Sequence, residues 1–210
     1  SSGICNMPAS CPAPESENGC CYCFVEEGGE RTFISYHGAE YRFEKPWFDA
    51  LNAADYGAAY LCALEVEEEG GENLLAFLEA HPDLPVWFAP GPRLSALREE
   101  RFRRCLALHP ALHLNAGESL ETARRCGQTA ETPEEAAPVI VTLGGDGCLY
   151  ETGTERGHIP PVKTAVADTI GAGDAHVGAL MARRALGDDW RTALTVANNY
   201  AAAVTAVTGA

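Results

Sequence analysis

From residue 46 onward the chain alternates between two hydrophobic periods, and that alternation constrains the fold more than any single motif. Residues 46–53 carry a helical pattern, 58–64 an apolar strand run, and 67–80 a helical stripe of Leu74, Leu75, Phe77 and Leu78. Further strand runs fall at 85–89, 111–114 and 138–143, separated by helical patterns at 95–109 and 118–126. Strands joined through helices return to the sheet in the same direction, so this order predicts βαβ units. The expected fold class is α/β: a mostly parallel central sheet flanked by helices on both faces. Ligands of such sheets bind beyond the strands' carboxyl ends. The residues that follow each strand are therefore the candidates for function.

The most constrained of these stretches is Asp168-Thr169-Ile170-Gly171-Ala172-Gly173-Asp174, which follows an extended run over 158–167 and opens a helical pattern reaching about Leu186. Gly171 and Gly173 permit backbone angles and close approaches that a Cβ would block, so successive N–H groups can point at one anionic oxygen. The first turn of the following helix adds unpaired N–H groups and the positive end of its dipole. Asp174 is out of place beside such an anion hole, because its carboxylate repels the anion. That placement suits a working acid or base: a hydroxyl between Asp174 and a bound phosphate can lose its proton as phosphoryl is transferred. The alternative is a glycine-rich turn with two capping aspartates.

Two other strand ends carry polar residues or glycines. Leu114 runs into Asn115-Ala116-Gly117-Glu118, where Asn115 fits a helix N-cap and Glu118 completes a capping box. The strand over 138–143 ends in Gly144-Gly145-Asp146-Gly147, and because 148–151 also reads as a strand, a tight hairpin turn fits there too. Nearer the start, 20–26 and 31–36 are β-prone runs joined by Glu27-Gly28-Gly29-Glu30, a hairpin signal. Residues 1–19 read as a strand end at Gly3–Met7 followed by loop. The last helical pattern, 189–208, places Trp190, Ala193, Leu194, Ala197, Ala201 and Val204 on a core stripe, with Asn198 and Asn199 off it.

The heptapeptide at 168–174 resembles the C-terminal signature DTxGAGD of the ribokinase-like (PfkB) carbohydrate kinases. Six specified positions in seven arise by chance in about one chain in a hundred thousand of this length. The resemblance implies a ribokinase-like fold and ATP-dependent phosphoryl transfer to a hydroxyl of a sugar, nucleoside or similar substrate. It makes Asp174 the catalytic base and the backbone of Gly171, Ala172 and Gly173 the anion hole. Asn115 and Glu118 match the family's N-x-x-E motif, which implies a phosphate and Mg²⁺ shell, with Glu118 acting through water. Thr142, Gly144, Gly145 and Gly147 then border the ATP, and Asn199 falls on the adenine side. Activation by K⁺ is implied at Asp168 and the Ile170 carbonyl, with a second loop beginning at Val207-Thr208-Gly209-Ala210; Asp168 also fits a simple turn cap.

The hairpin region resembles the family's β-lid, which covers the sugar and offers a surface for a homodimer. The expected organisation is thus a strand and loop remnant of the core over 1–19, a lid over 20–45 and an α/β nucleotide-binding core over 46–210. The family's N-terminal constellation of glycines, Asn and a sugar-gripping Asp has no counterpart, and the connection from Glu135 to the strand at Val139 is short. The expectation is a chain lacking part of the N-terminal half, with sugar-binding residues unassigned. A non-catalytic nucleotide- or sugar-binding relative is the alternative function.

Composition excludes some partners. With 15 Lys and Arg against 30 Asp and Glu, a net charge of −15 argues against nucleic acid or an anionic membrane as the main partner. No apolar run reaches the length of a membrane span. Nine cysteines, an odd number scattered along the chain, do not form a secreted disulfide framework, and a cytoplasmic protein is expected.

Overall fold

The structure is a computed structural model that describes residues 17–26, 31–127 and 137–208. The expected strand end at Gly3–Met7, the hairpin turn Glu27–Glu30, the start of the connection at Glu135, and Gly209-Ala210 lie outside the described residues. Strands β1 (Cys20–Val25) and β2 (Arg31–Tyr36) pair antiparallel, Cys20 opposite Tyr36, as a separate two-stranded sheet. The central sheet contains β3 (Ala59–Leu61), β4 (Val86–Phe88), β5 (Ala111–Asn115), β6 (Val139–Thr142), β7 (Cys148–Glu151) and β8 (Arg156–Ile159), in that spatial order. β3 to β6 run parallel, and β7 and β8 extend the sheet antiparallel. The mostly parallel α/β sheet read from the alternation is the sheet observed.

Helix α1 (Lys45–Asp49) precedes β3, helices α2 (Ala63–Glu67), α3 (Gly71–Ala80), α4 (Glu99–Ala107) and α5 (Ala116–Cys126) connect the parallel strands, and α6 (Ala172–Ala185) and α7 (Trp190–Thr205) follow β8. Side chains alternate across a strand, so adjacent residues serve different cores. On β4, Phe88 packs with Leu61, Val66, Leu75 and Phe102, whereas Trp87 packs with Ile140, Val177, Leu180 and Leu194. The second cluster seats α6 and α7 against the sheet and so fixes where the α6 N-terminus emerges. Among the described residues no helix is long and apolar enough to cross a membrane.

Several boundaries differ from those the periodicity suggests. The strand expected to reach residue 64 stops at Leu61, because the Cys62 N–H donates to Glu65 Oε2 at 2.8 Å and opens α2. The helix expected over 67–80 begins only at Gly71, as α3, and a separate short helix, α2, ends at Glu67. Buried Arg101 holds the break by donating to the carbonyls of Val66, at 2.6 Å, and Glu68. The helices expected at 46–53 and 95–109 shorten to Lys45–Asp49 and Glu99–Ala107. The extended run over 158–167 is strand only to Ile159, since Pro160 and Pro161 have no N–H with which to continue a ladder.

Candidate active site

The 168–174 turn is built from local hydrogen bonds. Asp168 Oδ1 accepts from the Ile170 N–H at 3.0 Å, and the N–H groups of Ala167 and Asp168 donate to the Thr205 carbonyl at 2.8 and 3.2 Å. The turn is thereby pinned to the last turn of α7. Gly171 caps α6 at φ 75°, in the left-handed region that favours glycine. The Ala172 N–H turns back toward the Thr169 carbonyl at 3.4 Å, and regular helix bonding starts with Ala175 N–H to Gly171 O at 2.8 Å. The N–H groups of the first helical turn are the ones an α-helix leaves without an internal partner.

Beside this turn lies a cavity of about 610 Å³. One wall is the β6–β7 connection, with Thr142, Gly144, Gly145 and Gly147; the other is α6 and α7, with Ala172, Gly173, His176 and Asn198. Lys163 and its neighbours edge it. Two glycines of the wall stand clear of other atoms. A Cβ on Gly145 or Gly173 would meet nothing within 4 Å, and neither has a positive φ, so packing and backbone both tolerate a side chain there. What a side chain would fill is the cavity. Gly147 differs: at φ 86° its Cβ would fall 2.1 Å from the Ile159 carbonyl, so it serves the tight turn between β6 and β7. The hairpin turn read from this glycine run is the turn observed, and Gly147 both serves it and lines the cavity.

Asp174 is exposed and is not part of the cavity wall. Its charge acts instead on Tyr60 and Cys62 at the carboxyl end of β3. The Cys62 thiol is pushed up to about 11, first by burial and then by Glu65, Asp174 and Glu118, against the bond it shares with Tyr60. The Tyr60 hydroxyl is also raised, mainly by burial, then by Cys62 and Asp174. The two side chains are bonded at 3.3 Å. Asn115 and Glu118 form a full capping box: Glu118 accepts from the Asn115 backbone at 2.9 Å and side chain at 2.7 Å, and Asn115 Oδ1 accepts from the Glu118 N–H at 2.9 Å. Burial raises the Glu118 carboxyl, opposed by the Asn115 backbone N–H.

The turn thus has two sides. Thr142, Gly144, Gly145, Gly147, Ala172 and Gly173 meet around one cavity, while Asp174 and Glu118 project their charge toward the end of β3. Gly171, Asp168 and Ile170 shape the turn without lining the cavity. Asn199 is exposed and donates to the Thr195 carbonyl of its own helix at 2.8 Å. Asn198, expected off the core stripe, is buried and lines the cavity. Tyr60, Cys62, Lys163 and His176 were not singled out by sequence, and Asn198 carried no site role there. Tyr60 and Cys62 lie at a strand's carboxyl end within a Cys-x-x-Glu capping pattern, a readable signal; the burial of His176 and Asn198 depends on how α6 and α7 pack and has no local signal.

Residues 9–210 match the family described as pfkB family carbohydrate kinase. The chain is 33% identical over 195 residues to the uncharacterized sugar kinase YegV of Escherichia coli (strain K12), covering 89% of this chain and 61% of that one. It is 31% identical over 170 residues to the probable fructokinase-4 of Arabidopsis thaliana, covering 73% and 48%. The chain therefore spans about three fifths and one half of these two relatives' lengths. A ribokinase from Cryptococcus neoformans var. grubii serotype A, solved in complex with ADP, superposes with a TM-score of 0.77 over 94% of this chain and 68% of its own, at 22% identity. That likeness shows a shared ribokinase-like fold. The alternating sheet, the turn at 168–174 and the family match over residues 9–210 together lead to one assignment: this chain belongs to the pfkB family of carbohydrate kinases.

Proposed function

We propose that this protein transfers the γ-phosphoryl group of ATP to a hydroxyl of a sugar or nucleoside, with Asp174 as general base. The observation that carries the reading is the cavity that Gly145 and Gly173 leave open beside the amides of the 168–174 turn. Glycines that neither packing nor dihedral requires are accounted for by a ligand whose phosphates approach the backbone. The relatives support the reaction class, since one is named a sugar kinase and another a probable fructokinase, and the ribokinase of similar fold was solved with ADP.

In this reading the Gly171–Gly173 backbone faces the phosphoryl group, and Asp174 faces the acceptor from the β3 side of the turn. The acceptor oxygen attacks the γ-phosphorus, the bond from that phosphorus to the β–γ bridging oxygen breaks, and the hydroxyl proton passes to Asp174. The turn's N–H groups offset the charge that spreads over the γ-oxygens. Among the described residues no group of three or more His, Cys, Asp or Glu side chains could hold a metal ion by itself. Glu118 would serve a Mg²⁺ ion from its outer shell, through water, and the ion would supply charge neutralisation there. Asp168 and the Ile170 carbonyl are assigned to K⁺. Thr142, Gly144, Gly145 and Gly147 border the nucleotide, Asn199 remains on the adenine side, and the β1–β2 sheet acts as lid and homodimer surface.

The deciding experiment follows phosphoryl transfer from labelled ATP to a panel of sugars and nucleosides, alongside ADP binding. Asp174→Asn is expected to lower kcat by about 100-fold or more while leaving ADP binding intact, as for removal of a positioned general base. Near-parental turnover in this variant would remove Asp174 from the mechanism. A parental protein that binds ADP but phosphorylates nothing in the panel would favour a non-catalytic binding relative.

A further inference from the structure

A line of buried polar side chains runs from β5 through the interior to the cavity wall at His176 and Asn198. His113 on β5, His176 on α6 and Asn198 on α7 are 6%, 3% and 8% exposed. His113 Nε2 lies 2.9 Å from His176 Nδ1, and His176 Nε2 lies 3.0 Å from Asn198 Oδ1. Asn198 Nδ2 donates to the carbonyls of Pro160, at 2.9 Å, and Ile159, at 3.4 Å.

The chemistry of the far end fixes the direction of the whole line. Carbonyls only accept, so the amide must turn its NH₂ toward Ile159 and Pro160 and its Oδ1 toward His176. An amide oxygen also only accepts, so His176 donates from Nε2. A neutral imidazole protonated at Nε2 accepts at Nδ1, and His113 must therefore donate from its own Nε2. Each histidine is left with one tautomer, and every bond points toward the end of β8.

That end needs holding. Pro160 and Pro161 begin the 160–168 segment and supply no N–H, so the segment leaves the sheet with only its carbonyls as handles. Farther along, it carries Lys163 to the cavity edge and ends at Ala167 and Asp168, whose N–H groups donate to Thr205 of α7. The same helix thus grips the segment at both ends, through Asn198 and through Thr205. We propose that His113, His176 and Asn198 form a one-way hydrogen-bonded strut that positions the 160–168 segment, and through it the cavity edge and the entry to the 168–174 turn. His113 does not line the cavity and acts only through the line, while His176 and Asn198 also form part of the cavity wall; all three are positioning residues for the segment. Only the identity of the ligand rests on the nucleotide reading; the strut is a claim about tautomers and about the segment.

Two measurements on the full chain test it. Nitrogen-15 NMR of the imidazoles at pH 7 is expected to show His113 and His176 neutral and protonated at Nε2. A His176 protonated at Nδ1, or one freely exchanging tautomers, would overturn the proposal without any variant being made. Amide exchange is then followed at Ala167 and Asp168, with Phe102 in α4 as a fold control. His176→Phe keeps a ring of similar size and removes both nitrogens, and is expected to speed exchange at Ala167 and Asp168 about tenfold. His176→Gln, which can still donate toward Asn198, should restore much of the protection. Exchange unchanged in His176→Phe would sink the strut. ADP binding is measured in parallel, with an expected rise in Kd of about tenfold in His176→Phe and recovery in His176→Gln. If the parental protein bound no ADP, the nucleotide reading would fail, while the exchange result would still decide the strut.

Discussion

Glu118 closes the cap of α5, and the proposed function gives the same carboxylate an ion to serve. Its two bonds from Asn115 close the cap of α5, yet a carboxylate has lone pairs left for a metal-bound water. Glu118→Gln separates the two uses, because Gln also completes a capping box and only the charge is lost. The expected outcome is a higher Mg²⁺ concentration for half-maximal rate, with a smaller effect on the KM for the acceptor; an unchanged Mg²⁺ dependence would leave Glu118 a cap alone. The buried histidines carry a second residue-scale consequence. Burial, reinforced by His176, pushes His113 down to about 3, and burial lowers His176. In the unfolded chain both titrate near 6.5, so below that pH the unfolded state binds protons that the folded state refuses. Stability is then fully present above pH ~6.5 and lost on acidification, by up to about 1.4 kcal/mol per pH unit for each histidine. Urea midpoints of the parental protein should fall between pH 7 and 5, and those of His113→Gln/His176→Gln should fall less; equal pH slopes would refute the assignment. Of these residues, Asn115 and Glu118 were legible in sequence because a capping box is local. His113 was not, since a histidine within an apolar strand has the same sequence appearance whatever α6 places opposite it.

At the scale of elements, the strands were legible because the parallel ones are short and apolar and end in polar or glycine punctuation. All three residues of β4 are buried, and β7 falls at 148–151 as read. Legibility failed where a distant side chain set the boundary. The break between α2 and α3 is held by Arg101, more than thirty residues away, and the end of β8 follows from two prolines whose effect the extended composition of 158–167 masks. The 168–174 turn, by contrast, was legible as an element because its glycines and aspartates act on their own backbone. Its bond from the Ile170 N–H to Asp168 Oδ1 is the ordinary cap expected of such an aspartate. A cation at Asp168 and the Ile170 carbonyl would fix the carbonyl orientations and so aim the turn's N–H groups, which is preorganisation rather than charge neutralisation. The rate in K⁺ is therefore expected to exceed that in a bulky organic cation at equal ionic strength. Equal rates would leave Asp168 a structural cap.

For the molecule as a whole, acidity and an apolar hairpin oppose each other. A net charge of −15 makes copies repel, yet β1 and β2 display apolar side chains on both faces. The pairing of Tyr22 with Ile34 and Cys20 with Tyr36 puts Tyr22, Phe24, Ile34 and Tyr36 on one face, each more than half exposed. Val25 and Phe33 are 60% and 56% exposed on the other. A two-stranded sheet is marginal by itself in water, and aromatic side chains on both faces call for two covers. In the proposed function these are the acceptor site of the same chain on one face and a second copy on the other. The two roles separate by mutation, because neighbouring residues on a strand point to opposite faces. Ile34→Lys and Phe33→Lys should therefore differ. One variant is expected to sediment as a monomer with phosphoryl transfer largely kept, and the other to stay dimeric with transfer impaired. Salt should tighten the parental dimer by screening the repulsion between two acidic copies, the reverse of an interface held by ion pairs. Sedimentation velocity at low and high salt measures both effects, and a parental protein that stays monomeric up to about 100 µM in high salt would rule out the homodimer.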